Sequence, residues 1–137
     1  MQISIEKTLV RNLTFKGSLN ESSDSNERTF NVNFEQIYLE SNSKSFIIRF
    51  NVTVTNAGEF DIDIIYDAVF NTNEDVDKEF KNSHFPNINA PAIAYPFLRS
   101  YISFLTLNSG FDPAILPTIN FVDFLKTPKE TNENPML

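Results

Sequence analysis

The chain has no cysteine, no tryptophan, three glycines and one histidine among 137 residues. Without thiols there is no disulfide, no thiolate nucleophile and no thiolate metal ligand. Gly17, Gly58 and Gly110 lie too far apart to form a glycine-rich phosphate loop, and no G-x-S-x-G elbow occurs. His84 is the sole imidazole. A solvated His84 therefore leaves no Ser-His-acid set to complete. The acids offer no substitute. Glu74, Asp75 and Asp77 lack the alternating spacing and trailing glutamate of a calcium loop and suit the start of a solvated helix, and nothing selects a glycosidase pair from the eighteen acids. The expectation is a protein that is not an enzyme, with no catalytic residue, metal or cofactor.

Long hydrophobic runs are missing too. Nowhere do about eighteen apolar residues stand together, and the N-terminus MQISIEKTLV lacks the basic-then-apolar order of a signal peptide. A soluble, cytoplasmic protein without direct membrane insertion is expected. Acids outnumber bases by eighteen to eleven, giving a net charge of −7. That charge repels phosphate backbones and argues against nucleic acid as a partner.

What the chain does have is aromatic carbon. Fourteen phenylalanines sit in a sequence that is 41% hydrophobic. A chain of this length buries roughly 65–70% of its unfolded surface, enough for one core without staples. So many rings exceed what that core is expected to hold, and the surplus should line a groove or a subunit interface.

Ile3, Ile5, Lys7, Leu9, Arg11, Leu13 and Phe15 recur at period two, predicting a long first strand with two charged interruptions. Residues 17–28, GSLNESSDSNER, have almost nothing to bury and predict a mobile loop. The next strand runs Phe30, Val32, Phe34 and then changes phase to Ile37 and Leu39, which predicts a bulge or a short turn at Glu35-Gln36. Phe46, Ile48, Phe50, Val52 and Val54 mark a half-buried third strand. Asn56-Ala57-Gly58 supplies its hairpin turn, and Phe60, Ile62, Ile64, Tyr66, Ala68 and Phe70 return as the fourth. Asp61, Asp63 and Asp67 fall on the opposite side and are expected in water.

Residues 71–88 predict one or two irregular helical turns anchored by Phe80 and Phe85. A main helix follows, beginning near Ala92 or Pro96 and stopped by Gly110, and residues 120–126 predict a short second helix. The fold class is α+β, a four-stranded antiparallel sheet followed by a main C-terminal helix and a short second helix. One domain spans 1–126 and a disordered tail spans 127–137. Exposed sheet edges and a largely apolar helix point to oligomerisation.

The segment NINAPAIAYPFLRSYISFLTLNSGFDPAILPTINFVDFL resembles the signature region of the SecB family of bacterial protein-export chaperones. The corresponding residues are Pro91, Tyr95, Pro96, Phe97, Arg99, Ile102, Gly110, Phe111, Pro113, Leu116, Pro117, Ile119, Asn120 and Phe121, and ISIEKTLVRNLTF is similar to the family's first strand. The resemblance implies an ATP-independent holdase without a cofactor, a homotetramer built as a dimer of dimers, that holds unfolded preproteins in apolar grooves. It implies Phe30, Val32, Phe34, Phe97, Tyr101 and Phe104 as groove candidates. Hand-over to the translocase ATPase SecA would use acids, of which Asp61 and Asp63 stand in the fourth strand while the first-strand positions hold Asn12 and Lys16. The alternative clients are an antitoxin, in a toxin-antitoxin-chaperone system, or one dedicated partner of a phage or plasmid adaptor.

Overall fold

The computed structural model describes residues 1–18 and 27–126; most of the expected loop after Gly17 and the expected tail 127–137 lie outside the described residues. Strands β1 (Ile3–Gly17), β2 (Arg28–Tyr38), β3 (Ser45–Asn56) and β4 (Phe60–Thr72) form one antiparallel sheet in the order β1-β4-β3-β2. Three hairpin-linked strands with β1 returned beside β4 make a Greek key, and the two strands without a second neighbour are β1 and β2.

The alternation of β3 and β4 decides which face is inside. Register pairs Phe46 with Phe70, Phe50 with Tyr66, Val52 with Ile64 and Val54 with Ile62, so both strands turn their large apolar residues the same way. All of these are buried, and the Phe46 and Phe70 rings stack at 5.2 Å. The hairpin closes where expected. Gly58 has φ 81°, and the Glu59 N–H donates to the Asn56 carbonyl at 2.9 Å.

β1 is less regular than its period suggests. Its pairing with β4 slips between Ile5 and Lys7 and again between Val10 and Asn12. Each bulge adds one residue, so Thr8 and Val10 hold the inner-face positions between them while Lys7 and Leu9 go outward. The second slip restores the phase, returning Leu13 and Phe15 to the core side. Two bulges thus explain the two charged interruptions. β2 has none: Phe34 pairs with Phe50, Gln36 with Ile48 and Tyr38 with Phe46 in unbroken register. The bulge expected at Glu35-Gln36 is corrected by a polar residue facing inward, since Gln36 Nε2 donates to the Pro86 carbonyl at 3.1 Å and to Asn87 Oδ1 at 3.0 Å.

Helix α1 (Lys78–Lys81) is one turn, capped by Asp77, whose carboxylate accepts from the Phe80 N–H at 2.8 Å. A π-helical turn (Phe85–Asn89) leads directly into α2 (Ala90–Asn108), so the main helix begins before both expected starts and contains Pro96. Proline deprives the Ala92 carbonyl of its helical donor. Ala92 and Pro96 are both exposed, so the interrupted turn lies on the solvent side of the helix.

α2 ends in a Schellman motif: the Gly110 N–H donates to the Leu107 carbonyl at 3.2 Å, the Phe111 N–H to the Thr106 carbonyl at 3.1 Å, and Gly110 has φ 97°. A Cβ at Gly110 would meet nothing within 4 Å, so only the backbone conformation resists a side chain. Gly110→Ala is therefore expected to lower unfolding stability by about 1 kcal/mol. Urea denaturation checks this, and an unchanged midpoint would contradict it. Helix α3 (Phe121–Lys126) starts under Asn120, whose Oδ1 accepts from the Val122 N–H at 3.0 Å.

All three helices cover one face of the sheet. The continuous core joins inner-face residues of the strands to Phe80, Ala90, Ala94, Leu98, Ile102 and Phe121, while nothing packs a second layer over the outer face among the described residues.

Candidate functional site

Helix α2 carries no acid and only one base, Arg99. At 100° per residue, Ala94, Leu98, Ile102 and Thr106 share the buried side. The opposite side is apolar as well. Ile93, Phe97, Phe104 and Leu107 lie along it and are 42%, 48%, 65% and 57% exposed. A soluble helix ordinarily turns charge outward, so a second apolar stripe marks a surface meant to be covered.

An extended segment, residues 111–120, runs back along α2 and is tied to it through its main chain. Ser103 Oγ donates to the Ala114 carbonyl at 3.2 Å, Arg99 Nε to the Leu116 carbonyl at 3.0 Å, and the Tyr95 hydroxyl to the Pro117 carbonyl. Burial holds that phenol protonated far above its ordinary range, against the opposing charge of Arg99. Thr106 Oγ1 accepts from the Ala114 N–H at 2.8 Å. Arg28, on β2, donates to the carbonyls of Pro113 at 2.9 Å and Asp112 at 3.0 Å. Ala114 and Leu116 point inward and are fully buried, and Ile115 between them stands in solvent. The segment is a fixed wall rather than a loose connection.

The six expected groove residues fall on two surfaces. Phe30, Val32 and Phe34 are inner-face residues of the edge strand β2. Val32 has no exposed area and belongs to the core. Phe30 and Phe34 are half-buried, and Phe34 lies 5.0 Å from Phe124, 5.5 Å from Phe121 and 6.0 Å from Phe50, centroid to centroid. Phe97 and Phe104 project from the open stripe of α2, whereas Tyr101 is half-buried against Tyr66 at 5.8 Å. Between the two surfaces stand Tyr95 and Phe121, whose rings meet edge to face at 5.7 Å. Exposed Val122 and Leu125 on α3 extend the β2 surface. Sequence reasoning missed Ile93, Val122 and Leu125 as surface residues; Ile93 sits four residues before Phe97, a spacing that signals a shared helix face.

Of the fourteen phenylalanines, Phe46, Phe50, Phe60, Phe70, Phe80 and Phe121 are core, and only Phe97 and Phe104 stand in solvent. The other six are half-buried on the core's margin. The interior absorbs more rings than composition suggests, because they pack on one another: Phe60 meets Phe111 at 5.0 Å and Phe15 at 5.6 Å.

The outer sheet face is polar. Asp61 and Asp63 are exposed there, in register with Lys16 and Thr14 of β1, and Asn12, Asn31, Asn33, Asn51 and Thr53 surround a shallow depression of about 380 Å³ beside Asp63. Asp67 departs from the expectation that all three β4 acids face water. It is 0% exposed, held by Arg49 Nε at 2.8 Å and Nη2 at 2.9 Å and by Arg11 Nε at 2.7 Å. Burial pushes its carboxyl up, and the hydrogen bonds and charges of Arg49 and Arg11 outweigh that, so it titrates below the ordinary carboxylate range. His84 is exposed at the start of the π-helical turn.

Comparison with known proteins bears on this geometry. The family SecB, preprotein translocase subunit SecB, matches residues 1–132. A protein-export protein SecB of Anaplasma phagocytophilum is 35% identical over 75 residues, which cover 54% of this chain and 48% of that protein. An uncharacterized protein of Methanocaldococcus jannaschii is 28% identical over 123 residues, covering 84% of this chain and 78% of its own length. Among solved structures, the Mycobacterium tuberculosis Rv1957 SecB-like chaperone in complex with a ChAD peptide from the Rv1956 HigA1 antitoxin superposes with a TM-score of 0.66 at 14% identity, covering 85% of this chain and 87% of that one. That likeness is one of fold.

Proposed function

The chain belongs to the SecB family, and from that premise we propose that it is an ATP-independent chaperone that holds unfolded polypeptide segments against its surplus apolar surface. The observation that carries the reading is the second apolar stripe of α2, with Phe97 and Phe104 in solvent. Each client side chain buried there contributes about 1.5–3 kcal/mol. Several such contacts along one chain give tight binding that needs no nucleotide to release. The edge strand β2 adds a place for backbone pairing: it is regular, without bulges, and flanked by half-buried Phe30 and Phe34.

The stripe on α2 and the two sheet edges also support assembly as a dimer of dimers. Light scattering is expected to report four subunits, and a strict monomer would oppose that assembly. For the holding activity itself, a chemically denatured client is diluted into buffer without ATP. Aggregation should be suppressed at about stoichiometric amounts of the chaperone. No suppression at several-fold excess would overturn the proposal.

Two client classes follow from the relatives. The Anaplasma protein is named for protein export, and the mycobacterial chaperone was solved with an antitoxin peptide. Docking of a translocase would rest on Asp61 and Asp63, but Lys16 stands in register with Asp61 and β1 offers Asn12 where an acid would serve. This balance favours a client-holding role that does not depend on SecA. Pull-down with SecA and with an antitoxin peptide separates the two, and capture of SecA lost in Asp63→Lys would restore the export reading.

A further inference from the structure

We propose that the outer face of the sheet carries a carboxylate-binding site, built by Arg11 and Arg49 on buried Asp67, that takes an acidic peptide segment of a partner protein. Asp67 is the single buried charged side chain among the described residues. Replacing such a buried ionic group with apolar residues is commonly neutral or stabilising, so stability does not account for it. Orientation does. Asp67 engages one edge of Arg49 and only the Nε of Arg11, leaving both terminal nitrogens of Arg11 and Nη1 of Arg49 without a hydrogen-bond partner among the described residues. The Arg11 and Arg49 side chains are 48% and 29% exposed. Two guanidinium groups on one carboxylate leave an excess positive charge, fixed in direction, in a protein whose net charge is −7. Guanidinium forks match carboxylates in shape, and preorganised ones lose less entropy on binding.

The surroundings complete the chemistry. Lys7, in register with Val69, adds a third cation on the same face, and the acids beside the cluster are Glu35, in register with Arg49, and Glu6, the exposed bulge residue before Lys7. Leu9, Ile37 and Ile65 are half-buried around the charges. This end of the face presents the two oriented guanidinium groups among apolar side chains, whereas Asp61 and Asp63 hold the other end. A segment alternating Glu or Asp with aliphatic residues complements it, and a basic partner does not. The site lies on the sheet face opposite α2, so it serves a second partner while a client is held.

The test uses a fluorescein-labelled Glu/Leu dodecapeptide, with Gln/Leu and Lys/Leu versions, titrated into the full chain by polarisation. The Glu/Leu peptide alone should bind, more weakly as salt rises. Lys7→Gln, which leaves Asp67 untouched, should weaken binding severalfold, Arg11→Met tenfold or more, and Arg11→Lys less than Arg11→Met. Aggregation suppression by each variant should match the parent, and saturating client should leave peptide binding in place. Equal binding of Gln/Leu, displacement by client, or indifference to both Lys7→Gln and Arg11→Met would overturn the site. Loss of suppression in the parent would instead overturn the holding role and leave this site standing.

Discussion

A chain carrying Phe97→Asp and Phe104→Asp together is expected to keep the parent's circular dichroism spectrum and to lose aggregation suppression by at least about a hundredfold. Both rings project from the stripe of α2 that faces away from the core, so neither substitution opens a cavity. Each phenylalanine that no longer buries surface costs about 1.5–3 kcal/mol of association, and a factor of ten is about 1.4 kcal/mol. Two rings therefore account for about 3 kcal/mol or more. Adding two carboxylates to a helix that has none makes any apolar cover bear their desolvation as well.

The same variant separates subunit contact from client contact. If the stripe joins subunits, light scattering reports a smaller particle along with lost suppression. If it meets clients directly, the particle keeps its size. Val122→Asp with Leu125→Asp on α3 probes the β2 surface in parallel, where Phe30, Phe34 and Phe124 form the apolar floor. Unchanged mass and unchanged suppression in the α2 variant would remove the second apolar stripe from the mechanism.

The fold was legible where periodicity is strong and local. β3, β4, their Gly58 turn and the Gly110 stop follow from alternation and from two glycines in the left-handed region. The failures came from partners distant in sequence. Lys7 and Arg11 broke the period of β1 because two bulges against β4 turn that stretch over, and a bulge shows only once the pairing is known. Gln36 mimicked a bulge because its bond partners, Pro86 and Asn87, lie fifty residues away in a π-helical turn. Asp67 looked like Asp61 and Asp63 because nothing local brings Arg11 and Arg49 to it.

The candidate site was legible in part for the same reason. The amphipathic test found α2's rings but could not say which stripe meets the sheet, since both are apolar. Val32 alternates with half-buried Asn31 and exposed Asn33 much as Phe30 and Phe34 alternate with polar neighbours, yet its pairing with Val52 of β3 encloses it. Ring-on-ring packing, which let the interior take six phenylalanines and hold six more at its margin, leaves no trace in composition.

Asp67→Ala is expected to destabilise the fold by about 3 kcal/mol, because it leaves Arg49 and Arg11 facing each other without their shared counter-ion. The lower end of the usual range applies since both guanidinium groups reach water and are partly screened. In a domain of this size, that is a fall in melting temperature of roughly 10 °C. Acid should reproduce the loss in the parent. The Asp67 carboxyl titrates lower folded than unfolded, so its contribution is complete above the unfolded value of about 4 and fades as pH falls from there through the folded value. The parent's stability should therefore decline with acid below about pH 4–5 more steeply than that of Asp67→Ala, which has already lost the group. A triple variant, Asp67→Leu with Arg11→Met and Arg49→Met, removes the charges along with the cost of burying them and should recover most of the stability. It should at the same time fail to bind the Glu/Leu peptide, dividing what the ion cluster does for the fold from what it does for a partner. Parallel acid profiles for parent and Asp67→Ala would show that the ionised Asp67 carboxylate contributes nothing to stability, whereas a triple variant less stable than the single one would show that the cluster holds the sheet together and that its orientation of the arginines is incidental.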